Sequence, residues 1–519
     1  MKIEVSKYLK KDYDPRLNNL RKDLLESLNS GIQSVDPYIC VNTFFSYKEE
    51  ELIKENGILH TQKNSLDYSK FKNIYLIAFG KAAIRMSIAI IGRFNISEGL
   101  ICSNEEVSDV EKKFLNIVDV DILDKDSKKV SSDFIKKIQS NTKNIEYIKG
   151  GHPLPDENSI KAGVKITKIL EKANNEDLVF ILISGGGSAL VERPMISFDI
   201  LKSLTSDLLK KGANIHELNT IRKHLSNIKG GRLIQQSKAK IVSLILSDVP
   251  GDPLESIASG PTYHDSTTYD MAFSILKKYE LVEKYPEIVN IFNDGIDGKI
   301  PETLKEKEYN QKYIDGKIEN FLVGSNYICC QNIINNLIEK NYNVIYLGSL
   351  IEGNAEEMAK NFSGFLRSIV KDQFGFIEQS KKDKTFVSKS IFSNFPIAIV
   401  WGGETTVIVK GNGKGGRNQH FVLSFLSNII KNINHIDFTK YLFSICSFGT
   451  DGIDGASIAA GAIADNWSLE FIKNHNIDIE NFLNNSDSFS LFERLNDAII
   501  TGPSGTNVTD VGILLVEKM

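Results

Sequence analysis

Apolar and polar positions along the chain fall into a repeating unit: a short apolar run, a glycine turn, then an amphipathic stretch. Ile74–Phe79, Asp177–Ile183 and Ile241–Leu246 are apolar and rich in β-branched residues, as strands buried on both faces must be. Each runs into a turn: Gly80-Lys81-Ala82-Ala83, Ser184-Gly185-Gly186-Gly187-Ser188 and Ser247-Asp248-Val249-Pro250-Gly251-Asp252-Pro253. Helices are expected from Ala82 to Ile91 and, capped by Asn158 or Ser159, to about Lys172. Leu17, Leu20, Leu24, Leu25, Leu28 and Ile32 recur at helical spacing and predict an opening amphipathic helix without chemistry. Residues 104–148 are charged and read as a peripheral strand and helix; residues 265–318 read as helices closing a first domain. A new strand–turn–helix unit starts at Phe321–Asn326, and Val344–Leu347, Pro396–Val400, Val407–Val409 and Tyr441–Ser447 read as further strands. The Lys-, Asp- and Ser-rich segment 371–389 is expected to be an exposed loop or disordered insertion. The alternation makes the chain α/β, with domains at 1–318 and 319–519.

Composition narrows the function classes. A length of 519 residues leaves room for two cores. With 62 basic and 66 acidic residues the net charge is −4, which points to neither nucleic acid nor a membrane surface as partner. Five cysteines are scattered without a CxxC pair and read as buried thiols of a reducing compartment. Met1–Asp14 is charged throughout, unlike a secretory signal, and no window approaches the roughly 20 apolar residues of a membrane span. A soluble, cytoplasmic protein is expected.

The turns carry the candidate chemistry. In an open parallel sheet, ligands bind at the carboxyl ends of the strands. Gly185, Gly186 and Gly187, flanked by Ser184 and Ser188, offer bare backbone N–H groups to an anion, although a tight turn without ligand gives the same composition. Gly80-Lys81 before a helix adds a mobile cation, at a helix start that otherwise disfavours lysine. It is not a Walker A loop. His152, in the proline-pinned loop Gly150–Asp156, is either a substrate ligand or a loop residue bonded to a carbonyl. Asn219, Arg222, Lys223, His224, Lys229 and Arg232 are either a solvated helix face or a wall towards phosphate or carboxylate. Asp248 and Asp252 sit where magnesium or a hydroxyl proton would be met, though turn chemistry alone also places Asp before Pro or Gly. Gly411, Gly413 and Gly416 spell GxGxxG without the following strand and acid of a dinucleotide site, and read instead as a mobile loop delivering Arg417 to an anion.

Taken together these motifs resemble the glycerate 2-kinase, or MOFRL, family. The resemblance is carried in order, over about residues 74–512, by Gly80–Ala83, Gly151–Asp156, Ile183–Ala189, Asn219–Ser226, Ser247–Asp252, Ile257–Thr262, Gly402–Thr406, Gly415–Gln419, Gly449–Gly452 and Gly505–Asn507. It implies a larger Rossmann-like parallel-sheet domain, a smaller C-terminal α/β domain, and an active site in the cleft between them. It further implies ATP- and Mg2+-dependent phosphorylation of D-glycerate to 2-phosphoglycerate by a monomer or homodimer. By matching motif, Lys81, Arg417 and Asp451 are the expected central polar residues; Asp451 or Asp248 is expected to accept the hydroxyl proton or hold magnesium, with Asp248 and Asp252 as the candidate metal ligands and Asp248 counted with the catalytic set. The expected binding set adds Gly80, His152, Ser184–Ser188, Asn219, Arg222, Lys223, Asp252, Ser325, Asn326, Gly403, Glu404, Thr405, Gly415, Gly416, Asn418 and Gln419. Two positions depart from the family pattern: His420 stands where Glu is usual, and Ala456 where proline is usual. The charged segments 104–148 and 371–389 also exceed the family's usual length.

Two rival readings use the same residues. A nicotinamide-dependent hydroxypyruvate reductase needs a fingerprint at the first βαβ unit, and Phe79-Gly80-Lys81 is not one. A non-catalytic nucleotide or sugar-phosphate sensor has no need to keep Lys81, Arg417 and Asp451 together.

Overall fold

The computed structural model describes residues 2–11, 13–45, 67–106, 140–235, 237–371 and 395–519, with the backbones of two short hairpins, Leu52–Glu55 with Ile58–Thr61 and Gly375–Gln379 with Phe386–Ser390. The second hairpin overlaps the segment 371–389 expected to be loop or disordered; most of 104–148 lies outside the described residues. The chain divides into two units, residues 37–323 and residues 1–36 with 324–519.

In the unit of residues 37–323, six strands form one sheet: β1 (Ile74–Phe79), β2 (Glu98–Ser103), β3 (Ile145–Lys149), β4 (Leu178–Ile183), β5 (Lys240–Leu246) and β6 (Ile318–Gly324). Their order is β3-β2-β1-β4-β5-β6, and the β1–β2, β1–β4, β2–β3 and β4–β5 pairings are parallel. Tyr75, Ile77 and Phe79 join Val179, Ile181 and Ile183 in one core cluster. The alternate residues Leu76, Ala78, Phe180 and Leu182 are equally buried, so both faces are covered, as their unbroken apolar sequence requires. Register aligns the strand ends: Phe79 pairs Ile183, and Ile183 pairs Ile245. Gly80, Ser184 and the turn after Leu246 therefore share one edge of the sheet. The helix after β1 runs Ala83–Ile91, as its pattern predicts. Among the described residues the next is Glu157–Lys172, and its cap is Asp156, which exchanges bonds with Ser159 in a capping box; Ser159 is thus the third helical residue, not the cap.

The other unit holds a mixed sheet of β7 (Asn343–Tyr346), β8 (Ile351–Asn354), β9 (Ile397–Thr406), β10 (Tyr441–Gly449), β11 (Gly461–Asp465), β12 (Ala498–Ile499) and β13 (Asp510–Lys518). β9 is parallel to β7 and β8 but antiparallel to β13, which continues antiparallel through β10 and β11 to β12. β9 ends at Thr406, and Ile408 and Val409 beyond it are exposed, so no strand forms at Val407–Val409.

The domain boundary differs from expectation in two ways. Strand β6, expected to open the second domain, completes the first sheet, and the chain passes between units at Val323–Gly324. The opening helix, Pro15–Ser34, folds with the C-terminal unit. Its Arg21 is fully buried, paired with Asp465 and, at 2.7 Å, with Asp497. Such a pair is readable only in three dimensions, because its partners lie more than 440 residues away. Among the described residues, no helix is long and apolar enough to cross a membrane. All five cysteines are buried, and none is in a disulfide.

Candidate active site

In the unit of residues 37–323, the β1 and β4 turns interlock. Gly80 has φ +126° and lies so close to Ser184 that a Cβ would stand 2.1 Å from its Oγ. The Lys81 N–H donates to the Gly185 carbonyl at 2.9 Å, and the Ala82 N–H donates to Ser184 Oγ at 3.1 Å. These bonds fix the β1 turn on the β4 turn. The N–H groups of Gly185 and Gly186 make no hydrogen bond to any described residue. Gly186 is left-handed at φ +78°, with His152 Cδ2, His152 Nε2 and Lys81 Cε within 2.9–3.3 Å of where a Cβ would be. His152 and Lys81 therefore flank the same glycine. The Lys81 side chain is exposed and pairs with no described carboxylate. Burial, then the Lys81 charge, holds the His152 imidazole below its ordinary pKa, so it stays neutral at neutral pH.

Asp248, just after β5, rests its carboxylate against Gly185, where a Cβ would meet Oδ2 at 2.0 Å. Asp252 is buried at φ +54°. Ser188 shares a 2.8 Å hydrogen bond with Ser259, whose hydroxyl lies 3.5 Å from Asn219 Oδ1, and Arg222 donates to the Ser188 carbonyl at 3.2 Å. Gly80, Lys81, His152, Ser184–Ser188, Asn219, Arg222 and Asp248 are thus linked by contacts around one turn system.

The cationic run does not form a wall towards a ligand. Lys223 is buried against Asp265 at 3.0 Å, and His224 contacts Glu302 at 3.0 Å. Lys229 is buried against Glu192 at 2.5 Å and donates to the Ser188 carbonyl at 2.9 Å. Burial pushes the Lys229 ammonium down to about 8, against the pull of Glu192. Only Arg222 of this run reaches the glycine turn with a side chain that is not enclosed.

In the other unit, Arg417 begins the helix Arg417–Lys431. The loop before it is packed rather than free: Gly413 donates to the Asn485 carbonyl at 3.0 Å, and Cβ atoms on Gly415 and Gly416 would strike Ser488 and Asp454. The Arg417 fork is held by Asp510, at 2.6 Å from Nε and 3.0 Å from Nη2, while Nη1 faces Glu404 at 2.7 Å. Asp510 was not legible as a site residue; its one signal is an acid opening the apolar run Val511–Val516. Burial lifts its carboxyl to about 6, although Arg417 draws it back down.

Asp454, three residues beyond the expected Asp451, caps this helix from outside. It accepts from the N–H groups of Asn418 at 3.0 Å and Gln419 at 2.9 Å, and from both side-chain amides. Burial raises its pKa as well. Asp451 is half-buried and accepts from the Ile453 N–H at 3.0 Å. His420 contacts Glu356 at 3.0 Å, a pairing that a glutamate there would lack. Ser325 and Asn326, expected in the binding set, also have structural partners. Ser325 caps the helix Asn326–Glu339. The Asn326 amide donates to Val508 O, Thr509 Oγ1 and Asp510 O at 2.8–3.0 Å. Gly403 is pressed against the Ile351 backbone at φ +146°, beside half-buried Glu404 and buried Thr405.

Residues 23–292 match the domain of unknown function DUF4147, and residues 397–510 match the MOFRL family. The chain is 35% identical over 502 residues to a glycerate 2-kinase of Pyrococcus horikoshii, covering 96% of this chain and 98% of that one. It is 36% identical to a putative hydroxypyruvate reductase of Agrobacterium vitis over 72% of this chain and 77% of that one. The crystal structure of a glycerate kinase from Thermotoga maritima superposes with a TM-score of 0.71 at 30% identity, covering 96% of this chain and 99% of that chain.

Proposed function

The chain belongs to the glycerate 2-kinase (MOFRL) family, and from that premise we propose that it transfers the γ-phosphoryl group of ATP to the 2-hydroxyl of D-glycerate. The products are ADP and 2-phosphoglycerate. The observation that carries this reading is the turn at Gly185–Gly186: two unengaged N–H groups, with the exposed Lys81 ammonium alongside. That combination suits a phosphoryl group, because backbone donors and a cation meet oxygens on several sides. Phosphoryl transfer asks mainly for positioning and positive charge. Neutral His152 adds a donor or acceptor without competing for the anion.

Asp248 and Asp252 are the residues that would hold Mg2+. Among the described residues no cluster of three or more His, Cys, Asp or Glu is disposed to bind a metal ion. One or two carboxylates are nevertheless the usual protein share of a magnesium site whose remaining ligands are waters and phosphate oxygens. Bound there, the ion would neutralise charge on the phosphates. Asp451 is the proposed acceptor of the hydroxyl proton. Arg417, oriented by Asp510, offers substrate the edge that now faces Glu404.

The reductase reading has no support from geometry. The Gly411–Gly416 segment packs on residues 485–488 and follows a strand of a mixed sheet, not the first strand of a parallel βαβ unit. The test is ADP release from ATP, Mg2+ and D-glycerate by the wild type and Lys81→Met. Losing one preorganised donor costs about 10²–10³ in rate, so the variant should fall by about that factor. A folded Lys81→Met with wild-type kcat/KM would remove Lys81 from the site.

A further inference from the structure

Away from these turns, the unit of residues 37–323 carries a half-open cavity of about 510 Å³ whose lining includes Arg193, Asn227, Arg232, Gln235 and Ser237. None of its lining residues belongs to the candidate active site. Two guanidinium groups line it, and neither has a carboxylate partner among the described residues. The Arg193 guanidinium makes no hydrogen bond or ion pair with a described residue, although Arg193 is half-buried. Arg232 donates from Nη2 to the Tyr269 hydroxyl at 2.7 Å, but its buried Nε has no partner. The buried Ser237 hydroxyl is unpartnered too. Glu171, the acidic residue of the lining, is exposed and pairs with neither arginine.

Buried donors left unmade are costly and uncommon in folded proteins. Arg232 and Ser237 each keep one beside this pocket, and with Arg193 uncompensated the lining suits a ligand that brings negative charge and acceptor oxygens. Arginine is the side chain suited to forked recognition of phosphate and carboxylate. The volume is within the range of small-molecule sites.

We propose that this cavity is a second ligand site, which takes a small organic oxyanion, a phosphomonoester or a carboxylate, on Arg193 and Arg232. The proposal is independent of the reaction assigned to the glycine turns. Isothermal titration of the full chain with inorganic phosphate, glycerol 3-phosphate and citrate tests it and separates the two sources of oxyanion. Saturable binding of at least one probe is expected in the wild type and in Lys81→Met. Arg193→Ser should weaken that binding at least tenfold. Ser237→Glu, which supplies the missing carboxylate from within, should abolish it while raising the thermal midpoint. Circular dichroism confirms that each variant is folded, and either cavity variant alone is a sufficient test. Absence of saturable binding for all three probes would overturn the proposal. So would binding lost in Lys81→Met but unchanged in a folded Arg193→Ser or Ser237→Glu.

Discussion

Arg417→Lys separates a guanidinium locked in place from one delivered by a moving loop. In the wild type, Nε and Nη2 reach the two oxygens of Asp510 at 2.6 and 3.0 Å while Nη1 reaches Glu404 at 2.7 Å. A lysine ammonium donates from a single point and cannot span both oxygens of Asp510 and also reach Glu404. The Asp510 side chain is only 9% exposed, so water does not replace what is lost. One charge-assisted bond contributes roughly 1.5–3 kcal/mol, and about that much stability should disappear. In a domain of about 150–250 residues, each kcal/mol moves Tm by about 2–4 °C. The pH dependence is the sharper readout. Burial has raised the Asp510 carboxyl from 3.8 to about 6, so the folded state holds a proton that the unfolded state has released. Stability from this group is therefore greatest below the unfolded value and declines as pH rises towards about 6. Weakening the fork raises the Asp510 carboxyl further and extends that decline above pH 6. Urea unfolding of both proteins between pH 5 and 8 should show a destabilisation that grows with pH. A loss that is constant with pH, or no loss at all, would refute the claim that Arg417 compensates a buried carboxylate.

Three further outcomes are expected. Gly80→Ala needs a Cβ 2.1 Å from Ser184 Oγ and 2.5 Å from the Ser184 carbonyl oxygen, at φ +126°; it should abolish ADP release and lower stability by about 1–3 kcal/mol, as a melting curve beside a kinase assay would show. Lys81→Met removes the charge that, after burial, holds His152 down; the His152 resonance should then titrate at higher pH, and an unchanged titration would mean that the two side chains are not neighbours. Asn326→Ala cuts three bonds to residues 508–510; it should destabilise by about 1–3 kcal/mol in urea unfolding, and a silent substitution would contradict the bracing role given to that amide.

Strands β1, β4 and β5 were legible because burial on both faces leaves an unbroken apolar run, and their turns because glycine is needed where backbone meets backbone. Gly80 and Gly186, each at positive φ in tight contact, bear this out. The opening helix was legible as a helix but not as part of the C-terminal unit, since an amphipathic stripe does not name its partner, and Arg21 meets Asp465 and Asp497 only in the fold. The cationic run misled for the opposite reason. Lys223 and Lys229 look solvated in sequence, and their neutralising acids, Asp265 and Glu192, sit 42 and 37 residues away. Arg417 was singled out in the sequence, but the reason for its position was not legible there. A glycine-rich stretch reads as mobile, whereas here each glycine admits a close contact with residues 454 or 485–488. Asp454 and Asp510 escaped notice because capping and forked pairing depend on distance, not on motif.

The central claim is the transfer of a phosphoryl group from ATP to the 2-hydroxyl of D-glycerate. It is tested most directly by supplying the purified chain with ATP, Mg2+, D-glycerate and enolase, with no phosphoglycerate mutase. The account predicts one ADP and one phosphoenolpyruvate for each glycerate consumed. ADP without phosphoenolpyruvate until mutase is added would place the phosphate on the 3-hydroxyl. Oxidation of NADH by hydroxypyruvate, with ATP untouched, would contradict the kinase assignment altogether.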